Sequence, residues 1–387
     1  MDDSAAERFI GLMSGTSIDA VDGVVVQFDA RGNLLQTLAV ASRPIPPRLR
    51  RQLTDLQQPG PDELATAALA ANALADLYAD CVRDLLEQAS LEPQAIAALG
   101  AHGQTVRHDP ARGYTIQLMN GARLAEASGI DSVTDLRSAD IAASGQGAPL
   151  VPAFHAKVFA GNARRVIVNI GGIANISVLA AAGDGDGTTR DGLPEVIGYD
   201  TGPGNTLMDH WCEQHRGERF DRNGEWAATG RVDEPLLARM LAEPYFHRAA
   251  PKSTGRDLFN PSWLQRQGLS GLDPEDVQAT LLELTARTIV DECRRHRVDQ
   301  VYVCGGGAAN GQLMGRLQRS LPGATVASTE DLGLHPQAVE ASAFAWLARQ
   351  RLKREAGNLA SVTGASGPRV LGALHVASRR ESARREG

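Results

Sequence analysis

Gly198-Tyr199-Asp200-Thr201-Gly202-Pro203-Gly204-Asn205 is the stretch whose reading decides the fold. Glu195, Val196, Ile197 and Tyr199 read as a short strand leading in, and Leu207, Trp211 and Cys212 recur at helical spacing behind it. A strand, a tight glycine turn and a helix start put Asp200 at a strand's end, beside free backbone N–H groups that can bind an anion. A carboxylate held there can act as a base. The same pattern also suits an Asx turn that caps the helix. Two more glycine turns of the same kind, one earlier and one later, favour the chemical reading.

The earlier turn is Ser14-Gly15-Thr16-Ser17-Ile18-Asp19-Ala20-Val21-Asp22, set between the strands Phe9-Ile10-Gly11-Leu12-Met13 and Val24-Val25-Val26-Gln27-Phe28. With a third strand from Leu34 to Val40 these make an antiparallel meander, since parallel neighbours need a long crossover. The turn is either a plain hairpin or a wrap for a triphosphate, with Asp19 or Asp22 holding Mg²⁺ or its waters. The unit then repeats: a strand from Arg165 to Ile170, the turn Gly171-Gly172-Ile173-Ala174-Asn175, a strand from Ile176 to Leu179, and a third strand ending at Asp200. The later turn, Gly305-Gly306-Gly307, follows the strand Val301–Cys304 and precedes a helix from Asn310. It comes too late for a dinucleotide fingerprint, but it lets something flat or anionic approach the backbone closely.

Other polar residues fall at strand ends, where open α/β sheets bind ligands. A strand from Ala95 to Ala101 runs into His102-Gly103-Gln104, so His102 is a substrate contact or a satisfied structural histidine. A strand from Asp131 to Thr134 delivers Arg137 beside Ser144-Gly145-Gln146-Gly147. The Arg fork suits a carboxylate or phosphate; the alternative is a surface pair with Asp140. Lys252-Ser253-Thr254-Gly255-Arg256 lacks the glycine pattern of a Walker A loop; it reads first as a solvated loop, with lining of a cleft as the alternative. Gly183 to Gly187 and Gly357 to Gly367 read as connections, and Arg379 to Arg385 as a solvated tail. Amphipathic spacing predicts helices through Leu74–Leu85, from Pro274 to about His296, and from Val339 to about Leu352.

Composition sets the class. The 387 residues suit two domains, and 43% hydrophobic with 4% aromatic residues predicts Ala-, Leu- and Val-built cores. A net charge of −7 argues against a nucleic-acid partner. Cys81, Cys212, Cys293 and Cys304 show no paired spacing and read as buried thiols. The acidic N-terminus is no signal peptide and no stretch reaches membrane-span length, so the expectation is a soluble cytoplasmic protein with no membrane partner.

Two meanders led by glycine turns resemble the actin, sugar kinase and Hsp70 superfamily. Literal motifs take the resemblance further: Gly11 to Asp19, Gly103-Gln104-Thr105, Gly145 to Pro152, Asn169 to Asn175, Asp200 to Asn205, Pro251 to Arg256 and Ser361 to Ala365 are similar to the anhydro-N-acetylmuramic acid kinases, in the same order. Met119-Asn120, Leu136 and Ala20 stand where that family usually has Gly-Asp, Phe and Gly. The resemblance implies an α/β fold of two actin-like (ribonuclease H-like) lobes, each a mixed five-stranded sheet with helices, around a central ATP cleft. The lobes would span 1–134 plus about 357–387, and 135–356. It implies an ATP-dependent kinase that opens the 1,6-anhydro bridge of an amino sugar with water and phosphorylates O6, as a cytoplasmic homodimer. Asp200 would be the base; Gly15, Thr16, Ser17, Ile18, Asp19, Ala20, Val21, Asp22, Gly171 and Gly172 the phosphate turns; Gly305, Gly306 and Gly307 the adenosine turn; and Asp19 and Asp22 the Mg²⁺ ligands. Arg137, Gln146, Asn175 and His102 would touch the sugar. The rival readings are an ATP-gated binding or chaperone-like protein on the same scaffold, and a sugar kinase acting on a free hydroxyl.

Overall fold

Phe9 to Phe28 folds as a hairpin in the computed structural model, which describes residues 6–15, 17–181, 196–250 and 252–378. The β-branched run Val24-Val25-Val26 is wholly buried, as a strand with both faces covered requires. Its strands are β1 (Glu7–Ser14) and β2 (Ala20–Phe28), followed by β3 (Leu34–Pro44), β4 (Ala98–Ala101), β5 (Gln104–Asp109), β6 (Tyr114–Leu118) and β7 (Ser132–Thr134). Further on come β8 (Arg165–Ile170), β9 (Ile173–Leu179), β10 (Val196–Pro203), β11 (Gln300–Cys304), β12 (Thr325–Ser328) and β13 (Ala373–His375).

The first sheet runs β13-β7-β4-β1-β2-β3 and the second β10-β9-β8-β11-β12, while β5 and β6 form a separate ribbon. In both sheets an antiparallel meander (β1-β2-β3, β8-β9-β10) carries parallel strands on its first member (β4 on β1, β11 on β8). This repeated order is the actin-like arrangement expected. The second sheet has the five strands expected and the first has six. The addition is β13, three residues antiparallel to β7.

By contacts the chain divides into Met1–Val158 with Glu340–Gly387, and Phe159–Val339. The crossings therefore fall at 158/159 and 339/340, not at 134/135 and 356/357. Two features move them. The buried Asp140 carboxylate accepts from Gly147 N (2.7 Å), Asn358 Nδ2 (2.6 Å) and Thr363 Oγ1 (2.7 Å), which ties the segment after β7 to the end of the chain. The helix Val339–Lys353 lies directly on β1 and β4: a Cβ at Gly11 or Gly100 would strike the main-chain carbonyl of Ala341 or Phe344.

The helix Glu63–Ala89 also belongs to the first unit and buries Leu74, Tyr78, Cys81, Val82 and Leu85 in its core. The second unit's core gathers β8 to β11 around the helix Pro274–Arg295, through Val277, Leu281, Leu284 and Ile289. Within 357–367, read as a connection, the short helix Ala360–Thr363 forms. All four cysteines are buried, as expected. None of the described helices is long and apolar enough to cross a membrane. Thr16, Pro251, the connection Gly183–Gly187 and the tail Arg379–Arg385 lie outside the described residues.

Candidate active site

Asp200 does not end its strand. β10 continues to Pro203 with a register shift between Asp200 and Gly202, and the helix Thr206–Arg216 starts after Asn205. Nor is Asp200 a helix cap: its Oδ2 accepts from the Thr254 N–H at 3.0 Å. Its own N–H donates to the Lys252 carbonyl (3.3 Å), and its carbonyl accepts from the Tyr245 hydroxyl (2.7 Å). Across the ladder it stands opposite Asn175, so the two side chains share a sheet face. Burial pushes the Asp200 carboxyl up to about 6, partly offset by the Thr254 N–H. Among the described residues no cation is paired with it. A half-buried carboxylate with one donor and no counter-ion suits proton abstraction near neutral pH.

Three glycine turns of the second unit converge beside β10. The carbonyls of Gly171 and Gly172 accept from the N–H groups of Asn205 (2.8 Å), and of Gly204 and Thr206 (2.9 and 3.1 Å). Gly204 fits only as glycine, since a Cβ would run into the Gly171 carbonyl. Asn205 Nδ2 donates to the Ile170 carbonyl at 3.1 Å and faces Gly306. Gly305, at φ +78°, and Gly307 pack against Asn169 and Ile170. The three glycines after β11 thus divide: two serve packing, while Gly306 meets nothing closer than 3.6 Å. A Cβ at Gly171 or Gly172 would likewise meet nothing closer than 3.7 Å, so a ligand can approach the backbone there. Arg256, at the end of the loop read as solvated, brings its guanidinium to Gly172. Lys252, from the same loop, is buried on Glu292 at 2.8 Å, so the solvated reading fails for it.

The first unit holds its own group. Gly15 is open above its Cα, with only Ser17 Oγ near, at 3.9 Å, and Ile18 follows at φ 54°. Gln104 Nε2 donates to the Gly15 carbonyl (3.2 Å) and Ser14 Oγ to the Gly103 carbonyl (3.0 Å), which joins this turn to the residues after β4. Arg137 forms no surface pair with Asp140. Its Nε and Nη2 point at His102 Nε2 (3.1 and 2.7 Å), and its Nη1 donates to the Gly147 carbonyl (2.8 Å). Burial and the Arg137 charge pull His102 down to about 3, so its neutral ring accepts from the guanidinium. Burial lowers Arg137 to about 10, opposed by the charges of Glu340 and Asp140, and it stays a cation. Gln146 is exposed, with its N–H on the Thr363 carbonyl at 2.7 Å.

Asp19 and Asp22 do not form a metal cage. Asp19 is ion-paired with Arg50, whose Nε also holds the Ile18 carbonyl at 2.8 Å, and Asp22 accepts from Ser42 Oγ at 2.6 Å. Ala20 and Val21 with Asp22 begin β2. Among the described residues no three His, Cys, Asp or Glu come together as a ready metal site. The donor set therefore fits Mg²⁺ only in its phosphate-assisted mode, with one or two carboxylates and the remaining ligands from waters and phosphate oxygens.

Sequence reasoning passed over several residues here. Asn169 Oδ1, Thr254 Oγ1 and Gln104 Oε1 are buried with no hydrogen-bond partner among the described residues. Such atoms are left for water or a ligand to satisfy. All three occur within motifs visible in the sequence, but nothing in the motifs told which atoms would be left unpaired.

A family model described as anhydro-N-acetylmuramic acid kinase matches residues 7–377. The anhydro-N-acetylmuramic acid kinase of Ralstonia nicotianae (strain GMI1000) is 54% identical over 384 residues, covering 97% of this chain and 98% of that protein. That of Variovorax paradoxus (strain S110) is 54% identical over 383 residues, covering 96% and 100%. Among solved structures, the activator of the 2-hydroxyisocaproyl-CoA dehydratase from Clostridium difficile aligns with a TM-score of 0.45 at 14% identity, over 90% of this chain and 96% of that one. With the family's model matched from β1 to just past β13, the chain belongs to the anhydro-N-acetylmuramic acid kinase family.

Proposed function

We propose that the protein uses ATP to convert 1,6-anhydro-N-acetylmuramic acid and water into N-acetylmuramic acid 6-phosphate and ADP, a step of murein recycling carried out in the cytoplasm. Asp200 takes a proton from the water as the water oxygen bonds to C1. The C1–O6 bond breaks, its electron pair passes to O6, and O6 takes the γ-phosphoryl group as the bond to ADP breaks. The Asp200 proton then returns to solvent. A placed carboxylate of this kind contributes on the order of 10² to 10⁴ in rate.

The other roles follow from the surroundings of each residue. Gly15 to Asp22, Gly171 and Gly172 are the phosphate turns, with open backbone at Gly15, Gly171 and Gly172; Arg256 adds charge at Gly172, and Gly306 faces the adenosine. Asp19 and Asp22 are the carboxylates that would hold Mg²⁺; when bound, it neutralises charge on the phosphates. Asn175, sharing a sheet face with Asp200, helps orient the sugar and water. Arg137 takes the sugar's carboxylate, with His102 holding the guanidinium in place from behind, and Gln146 contributes from its exposed loop.

The observation that carries this reading is the Asp200 carboxyl: half-buried, without a counter-ion among the described residues, and raised to about 6. The experiment is Asp200→Asn with anhydro-sugar and ATP, following sugar-dependent ADP release. Turnover should drop by about 10²-fold or more while nucleotide affinity is retained. Near-normal turnover would remove Asp200 from the mechanism. Reaction in ¹⁸O-water should label C1 of the product; an unlabelled product would mean a kinase acting on a free hydroxyl.

A further inference from the structure

The base is held by a segment that is itself anchored at depth. Asp200 touches residues 252–254 twice, its N–H on the Lys252 carbonyl and its Oδ2 on the Thr254 N–H. Lys252 is only 8% exposed, and its Nζ meets Glu292 Oε1 at 2.8 Å on the helix Pro274–Arg295. Glu292 Oε2 also accepts from the hydroxyl of Tyr199, the neighbour of Asp200 on β10, at 3.0 Å. Among the described residues, the other charged and titratable groups around the pair include Arg295 (3.2 Å from Glu292 Oε1), His296 (2.7 Å from the Tyr199 hydroxyl), the buried Cys293 thiol, which feels the Glu292 charge, and Tyr245, whose ring lies 5.2 Å from Lys252 Nζ.

A buried ion pair is a poor source of stability, because desolvation offsets most of the attraction. What it supplies is direction. The Glu292 carboxylate receives donors from β10, from the 252–254 segment and from its own helix, so the three elements are set relative to one another by hydrogen bonds and not by apolar contact alone.

We propose that Lys252 is a positioning residue: its ion pair with Glu292 fixes the 252–254 segment so that the Thr254 N–H holds the Asp200 carboxylate in its working orientation. The catalytic half of this statement rests on the reading of Asp200 as the base. The coupling from Lys252 to the Asp200 carboxyl does not.

The test uses the full chain and three variants. Lys252→Met/Glu292→Gln removes the pair without leaving a lone buried charge, Lys252→Arg retains the charge, and Asp200→Asn assigns the signals. In the wild-type protein the Thr254 amide resonance should titrate with the Asp200 carboxyl, and Asp200→Asn should abolish that titration. In the double variant the titration should move to higher pH, because the ionised carboxylate loses its donor. Its kcat should fall about 10- to 100-fold, as for misplaced catalytic groups, with KM for ATP changed less than about twofold. Lys252→Arg should restore most of both. A Thr254 amide blind to Asp200 in the wild-type protein, or a double variant whose Asp200 titration stays put, would overturn the proposal. If Asp200→Asn keeps its turnover while the Thr254 signal still follows Lys252, the base reading fails and the coupling stands.

Discussion

At Asp200, folding and turnover favour opposite charge states. The carboxyl moves from an ordinary 3.8 to about 6 on folding, so the folded protein binds that proton more tightly than the unfolded chain does. Its contribution therefore favours the fold below the ordinary value and is lost as pH rises through about 6. Asp200→Asn removes that cost. We expect no gain in melting temperature near pH 4 and a gain worth at most about 3 kcal/mol near pH 7.5, read by thermal unfolding across pH. The wild-type rate should fall on the acid side as the carboxylate protonates near pH 6. Arg137 gives a separate prediction. A charged hydrogen bond to a substrate carboxylate is worth about 1.5–3 kcal/mol, so Arg137→Ala should raise KM for the sugar about 10- to 100-fold and leave KM for ATP unchanged in steady-state kinetics.

Among the elements, the glycine turns make the sharpest contrast. Gly204→Ala would press a methyl group onto the Gly171 carbonyl, a backbone atom that cannot turn aside, and should cost about 1–3 kcal/mol of stability in denaturant unfolding. Gly306→Ala, whose methyl would meet only Asn205 Nδ2 at an ordinary van der Waals distance of 3.6 Å, should melt within about 2 °C of wild type yet weaken ATP binding by calorimetry. Both meanders were legible in the sequence because apolar runs such as Val24-Val25-Val26 are bounded by glycine turns. β13 was not: Ala373-Leu374-His375 is too short to show a period. The end of β10 was misplaced because Gly202 and Pro203 read as turn residues, whereas they complete a strand with a register shift. Asp200 could be picked out because its neighbours carry a turn pattern. The anchoring of Lys252 could not, because its partner Glu292 is forty positions away on a helix whose apolar spacing gave no hint of a buried carboxylate.

For the molecule as a whole, the second unit is an insertion within the first. The chain leaves the first unit at Val158 and rejoins it at Glu340. Sequence reading found the two-lobe plan through the repeated meander, but placed the crossings by motif. The packing that moved them, Asp140 on Asn358 and Thr363 and the helix Val339–Lys353 on β1 and β4, joins residues more than two hundred positions apart, and more than three hundred for Gly11 and Ala341. A chain cut after Val339 should accordingly keep residues 159–339 resistant to limited proteolysis while 6–158 are degraded. The piece 159–339 alone should melt cooperatively by circular dichroism. The glycine-floored track over Gly11 and Gly100 also has a consequence for biosynthesis. The backbone that must settle onto it leaves the ribosome only after the whole inserted unit has been made, an interval of roughly ten to forty seconds at usual elongation rates. Until then the nascent first half presents bare strands to its surroundings, so the later-made lobe matures ahead of the earlier-made one.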